Sequence, residues 1–372
     1  MNTHSKNPRR LVISIALSLA MLCTFGCLNA RNAVPMVTRD FEFVSGNKKL
    51  SGIIDQPVGS KARVLIVFVH GSGVTDIRRE NRYSDLRQRF AELGIASVTW
   101  DKPGRGRSEG KFDDNQPLEE SAQEALDAVA YLRTEKISGS NKIGIWSTSR
   151  GGWVAPIALS KDPEIKFWIS VSGPSAEDNK YYLLESNLPL EGRTSEETKR
   201  LLAEWKRGRQ IFLQGGDYDS YLAATEHLRK DPVVFEFAGD VTSTSKDYVA
   251  AQAAYMKEKE KYKFDEETLS MIRVQNFDQT LSRLNIDMLA LFGEKDTNLN
   301  WRKASELYQS TVGQNPKATL MVRTFPDGNH GITVTTTGSI REVDGVPLDT
   351  GMKCKGYYET QIDWLRKYVV SN

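Results

Sequence analysis

Residues 64–69 read Val-Leu-Ile-Val-Phe-Val, six apolar side chains in a row with no polar alternation. The run is short for a helix, and a strand with one wet face would alternate. It fits a strand buried on both faces, as in a parallel sheet covered by helices. The pattern recurs along the chain. Residues 95–100, 142–147, 167–171, 288–292 and 319–325 read as further strands. Residues 86–93, 118–132, 153–159, 303–308 and 357–369 read as helices, and Leu118, Ala122, Ala125, Val129 and Leu132 share one apolar face. Residues 41–44 and 50–56 read as two opening antiparallel strands joined at Ser45-Gly46-Asn47. Strands alternating with helices in this way predict an α/β fold with a mostly parallel eight-stranded sheet and helices on both faces.

The alternation stops between residues 174 and 285. That stretch is charged and mainly helical, clearest at 195–205 and 248–262, with Ser195, Glu196 and Glu197 resembling a helix start. It reads as an inserted helical lid that divides a catalytic domain into 38–173 and 286–372. Its aromatic residues, such as Tyr181, Tyr182, Trp205 and Tyr218, suit either a pocket wall or a small core.

The first residues differ from the rest. Lys6, Arg9 and Arg10 precede an apolar run from Leu11 to Phe25 that is short for a bilayer span. Residues 1–27 therefore read as an export signal. Processing at Cys27, which would attach a lipid anchor there, competes with cleavage after Ala30 and with twin-arginine export through Arg9 and Arg10. The expected location is periplasmic, membrane-anchored or secreted. Removing residues 1–26 leaves 47 basic against 48 acidic residues, a balance that offers no field for nucleic acid. Cys23 and Cys27 lie in or beside the signal, so Cys354 stands alone in the remaining chain with no disulfide partner.

Four short segments fall at the carboxyl ends of predicted strands, where open α/β sheets place their ligands. Ser149 lies in Ser147-Thr148-Ser149-Arg150-Gly151-Gly152. A nucleophile on a sharp strand-to-helix turn needs small neighbours two residues away on each side, because its own backbone is strained. Gly151 meets that need, and Ser147 stands where glycine is usual. His70-Gly71-Ser72-Gly73 offers backbone N–H groups to a developing oxyanion, from Ser72 first and Gly73 next, with the Arg150 N–H as second donor. Asp296 follows the strand at 288–292, with Glu294 as its competitor. His330 follows the last strand. Only His70, His227 and His330 remain after the signal, and only His330 comes after both the serine and the acid.

The order Ser149, Asp296, His330 is that of α/β-hydrolases and of no other serine-protease fold. On these residues the chain resembles the α/β-hydrolase superfamily, near its serine aminopeptidase and prolyl-oligopeptidase-like (dienelactone hydrolase-like) branches. The segment from Asp101 to Ser108, Asp-Lys-Pro-Gly-Arg-Gly-Arg-Ser, resembles a turn that shapes the cleft in those enzymes. The resemblance runs from about residue 40 to the end, except for the insertion and residues 332–355, which suit a hairpin over the site. It implies a serine hydrolase with Ser149 as nucleophile, His330 as base and Asp296 as orienting acid, needing no cofactor and no metal. A carboxylic ester is the first substrate expected and a short peptide the second; a binding module that has lost catalysis is the third reading.

Overall fold

The computed structural model describes residues 36–238, 244–342 and 352–371. The expected export signal with Cys23, Cys27 and Ala30 lies outside the described residues, as does the middle of segment 332–355. Eight strands form one sheet: β1 (Met36–Ser45), β2 (Lys48–Pro57), β3 (Val64–Val69), β4 (Ile95–Trp100), β5 (Ile143–Thr148), β6 (Ile165–Val171), β7 (Asp287–Gly293) and β8 (Thr319–Phe325). Their order is β1-β2-β4-β3-β5-β6-β7-β8. β2 runs antiparallel to both β1 and β4, and all other neighbours are parallel.

Among the described residues twelve α-helices accompany the sheet: α1 (Ile77–Glu80), α2 (Ser84–Glu92), α3 (Leu118–Thr134), α4 (Gly151–Lys161), α5 (Lys180–Leu190), α6 (Ser195–Leu213), α7 (Tyr218–Ala224), α8 (Pro232–Ala238), α9 (Ser245–Glu258), α10 (Phe277–Ser282), α11 (Trp301–Ser310) and α12 (Tyr357–Trp364). All six side chains of β3 are buried, as a strand covered on both sides requires. One core joins the sheet to α3, α4, α10 and α11 through residues such as Val129, Val154, Phe277 and Tyr308. The other joins the opposite face to α2 and α12 through Phe90, Trp146, Tyr357 and Trp364. The hydrophobic effect therefore fixes the sheet from both sides, and the carboxyl ends of β3 to β8 open on one rim.

Helices α5 to α10 occupy the stretch between β6 and β7. Leu184, Leu188, Leu201, Trp205, Leu228 and Val234 make a separate apolar cluster there. α6 starts at the expected residue, but Thr194 rather than Ser195 is its cap. The Thr194 hydroxyl accepts from the Glu197 N–H, and the Glu197 carboxylate accepts from the Thr194 N–H.

Candidate active site

The turn between β5 and α4 holds Ser149 at φ +51°, a left-handed backbone that a non-glycine residue adopts only under constraint. The constraint is visible in its neighbours. A Cβ on Gly151 would lie 2.6 Å from the Val69 carbonyl oxygen, and one on Gly152 would lie 2.8 Å from Gly173. Ser147, standing where glycine is usual, is fully buried, and its hydroxyl accepts from Trp168 Nε1 at 2.8 Å. A small side chain fits there because it satisfies an indole N–H that burial would otherwise leave unpaired.

The loops after β7 and β8 touch. A Cβ on Gly293 would lie 2.2 Å from the Asn329 carbonyl oxygen, so that crossing admits only glycine. Backbone bonds from Glu294 to Phe325 and from Lys295 to Gly328, both 2.9 Å, lock the two loops together. Buried Asp296 and buried His330 meet at this lock, with Nδ1 2.8 Å from Oδ2. The second Asp296 oxygen accepts from the N–H groups of Asn298 and Leu299 at 2.8 and 3.0 Å. A carboxylate satisfied in this way is an acceptor, so Nδ1 carries the proton and Nε2 presents its lone pair. Nε2 is buried and has no hydrogen-bond partner among the described residues. The Asn329 side-chain oxygen takes the Gly331 and Thr333 N–H groups, and the Ser172 hydroxyl donates to the His330 carbonyl at 2.6 Å. Glu294, the competitor of Asp296, instead accepts from Thr324 at 2.6 Å.

Ser149 and His330 line one cavity of about 540 Å³, together with Gly71, Ser72, Tyr83 and Met352. A Cβ on Gly71 would meet the Ser149 Cβ at 3.2 Å, so the glycine-rich loop lies against the serine turn. The Gly73 N–H donates to Asp114 Oδ1 at 2.7 Å, whereas those of Ser72 and Arg150 have no acceptor among the described residues. Lys102, not singled out from the sequence, donates to the carbonyls of Gly71 and Gly73 at 2.5 and 2.7 Å. Burial first, then nearby Arg150, lowers its pKa to about 8. Its position directly after Asp101 was the one signal available.

The Asp101 carboxylate binds the Ile77 and Arg107 N–H groups and Arg78. The turn from Asp101 to Ser108 thus braces α1 beside the glycine-rich loop. His70 Nε2 bonds the Trp100 carbonyl and the Thr99 hydroxyl. The Arg150 side chain reaches Ser121 and the Gln116 carbonyl rather than an acid. The Tyr182 hydroxyl donates to the Asp296 carbonyl at 3.0 Å. Tyr181 and Trp205 belong to the insertion's apolar cluster, and Tyr218 lies against Tyr221 and Tyr248. The described ends of segment 332–355 pair through Thr333 and Lys353, which places Met352 and Lys353 on the cavity wall. Among the described residues no cluster of three or more His, Cys, Asp or Glu could hold a metal ion.

The sequence matches the model of the X-Pro dipeptidyl-peptidase (S15) family over residues 70–330, more than half of the chain. It is similar to the quorum-quenching protein AidA of Acinetobacter baumannii, 31% identical over 32% of this chain and 39% of that one. It is also similar to the thiohydrolase apmlB of Arthrinium phaeospermum, 28% identical over 24% of this chain and 29% of that one. The chain spans less than two-fifths of the length of the curated relatives it matches. Among solved structures, an esterase of Pyrococcus furiosus aligns with 89% of this chain and 93% of its own at 15% identity and a TM-score of 0.48. An acylaminoacyl peptidase of Pyrococcus horikoshii aligns with 89% and 41% at 14% identity and 0.45. The family match spans the serine, the acid and the histidine together. The chain belongs to the X-Pro dipeptidyl-peptidase (S15) family, within the α/β-hydrolase superfamily.

Proposed function

We propose that the protein cleaves carboxylic esters through an acyl-enzyme on Ser149, with His330 as general base and Asp296 as its orienting acid. One observation carries the reading. His330 has Nδ1 fixed on Asp296 and a buried, unpartnered Nε2 on the wall of a cavity that Ser149 also lines. Nothing in the local packing gives Nε2 another partner, so its free lone pair is available to a proton from the cavity.

In this mechanism the Ser149 oxygen attacks the acyl carbonyl while Nε2 takes its proton. The new imidazolium is stabilised by Asp296. The carbonyl oxygen gathers negative charge between the N–H groups of Ser72 and Arg150. Collapse breaks the bond to the leaving alcohol, which receives the proton from Nε2. Water then gives its proton to Nε2, adds to the acyl carbon and releases the acid, and Ser149 regains the proton. The oxyanion loop keeps its shape through Lys102, which acts as a positioning residue.

A short peptide is the second reading, favoured by the family to which the chain belongs; the same groups would protonate a leaving amine. In either case we place the enzyme outside the cytoplasm, from the basic and apolar pattern of residues 1–27. The test compares purified enzyme and Ser149→Ala on p-nitrophenyl acyl esters and on aminoacyl and dipeptidyl p-nitroanilides. Ester turnover that vanishes in the variant supports the first reading. Anilide turnover without ester turnover supports the second, and turnover that survives the substitution rules out Ser149.

A further inference from the structure

A second and larger cavity, of about 940 Å³, lies among the inserted helices and reaches the loop between β4 and α3 at Asn115. Trp205, Phe212, Tyr255 and Phe264 give it aromatic walls. Arginine-lined space is usually accounted for by acids that neutralise it. Here the accounting fails for two side chains.

The half-buried Arg273 guanidinium lies over the Trp153 ring, 5.8 Å from its centroid, and no hydrogen bond or ion pair engages it among the described residues. Arg209 donates from Nε to the Leu269 carbonyl at 2.8 Å. Its guanidinium lies between the rings of Trp205 and Phe264, with centroids 5.5 and 5.6 Å away, and its two terminal nitrogens meet no acceptor among the described residues. The wall acid Asp178 lends Arg209 some charge compensation but no hydrogen bond, its oxygens accepting instead from the N–H groups of Met271 and Lys180 at 3.0 and 3.1 Å. At the exposed rim Lys180 and Lys257 outnumber Glu258.

Arg273 links the cavity to the helix that follows the serine turn. Trp153, beneath Arg273, lies one helical turn past Ser149. Arg150 senses the same charge: burial first, then the positive Arg273, holds its pKa below the usual range. Asn115 follows Asp114, which pins the Gly73 N–H of the oxyanion loop.

A guanidinium presents N–H donors in a planar fork matched to a carboxylate, and it discriminates against neutral analogues when water is scarce. We propose that this cavity holds the distal part of the substrate, an apolar or aromatic body ending in a free carboxylate, with Arg273 as the first cation met from Ser149 and Arg209 as the second. The inference rests on the Ser149 reading for its link to catalysis; the anion site itself does not.

Calorimetry of the purified protein with 4-phenylbutyrate and with its neutral amide tests the site directly. The acid is expected to bind about 10- to 100-fold more tightly than the amide, the scale of one charge-assisted contact. Arg273→Gln is expected to remove most of that preference, and Arg273→Lys, which keeps the charge without the fork, to retain part of it. Unchanged thermal midpoints exclude a folding defect, and Arg209→Gln gives an independent loss of preference. Bound 4-phenylbutyrate should also slow p-nitrophenyl acetate turnover by the unmodified enzyme. Equal affinity for acid and amide, or a preference that survives both glutamine variants, would overturn the proposal. Absence of both ester and anilide turnover alongside a clear preference for the acid would count against the hydrolase reading and leave the anion site standing.

Discussion

The loops at the strand ends and the helices inserted between β6 and β7 solve different problems. At the strand ends almost every polar atom near Asp296 and His330 is committed, and the backbone crossings at Gly151 and Gly293 leave no room for a Cβ. Among the described residues the exceptions there include His330 Nε2 and the neighbouring Asn329 Nδ2. In the insertion the balance is reversed. Three of its helices, α6, α7 and α9, are capped by side chains and a modest apolar cluster is shared, yet the cavity they line keeps two guanidinium groups with donors that meet no acceptor among the described residues. Groups that move protons need fixed geometry, and the sheet supplies it. Groups that choose a substrate can sit on elements anchored mainly to one another.

This contrast breaks most visibly at the strand ends. Ser149→Ala should lower kcat by roughly a millionfold while leaving the far-ultraviolet circular dichroism unchanged. Asp296→Asn, which keeps the shape but reverses the Nδ1 hydrogen bond, should cost about ten-thousandfold in kcat; a loss under tenfold would mean that Asp296 does not orient His330. Lys102→Met should lower kcat about 10- to 100-fold with a smaller change in KM, because it loosens an oxyanion donor without removing it. A change confined to KM would make Lys102 a binding residue.

The smallest effect concerns stability. Burial first, then the charges of Lys102 and Arg82, presses the His70 pKa down to about 3. The unfolded chain titrates near 6.5, so below that pH it binds a proton that the folded chain refuses. Stability is therefore lost as pH falls from 6.5 towards 3, by about 2–3 kcal/mol between pH 7.5 and 4.5. Urea midpoints at those two pH values should fall less for His70→Gln than for the unmodified protein; an equal fall would assign the acid sensitivity elsewhere.

What could be read in advance follows the same division. Strands β3 and β4 begin and end where expected, because burial on both faces leaves a mark in every side chain; β8 keeps its expected bounds although only Phe325 in it is fully buried. β6 starts two residues earlier than its apolar run, at Ile165, since exposed Lys166 interrupts the pattern without breaking the pairing. α4 begins at Gly151 rather than Trp153. Helix propensity counts against two glycines, but close packing admits nothing larger. The placement of Ser149, Asp296 and His330 after β5, β7 and β8 was legible because each follows its own strand. The contacts of Lys102 and Arg273 were not, for both join segments distant in sequence. The cavity around Arg209 appears only once α6 and α9 are packed against each other, and no local pattern encodes that packing.

The central claim is that Ser149 is an activated nucleophile. The purified protein should be treated with a fluorophosphonate probe and the modified peptide mapped by mass spectrometry. The account predicts a single adduct on Ser149 that is lost in His330→Ala. An adduct on another serine, or none on the folded protein, would contradict it.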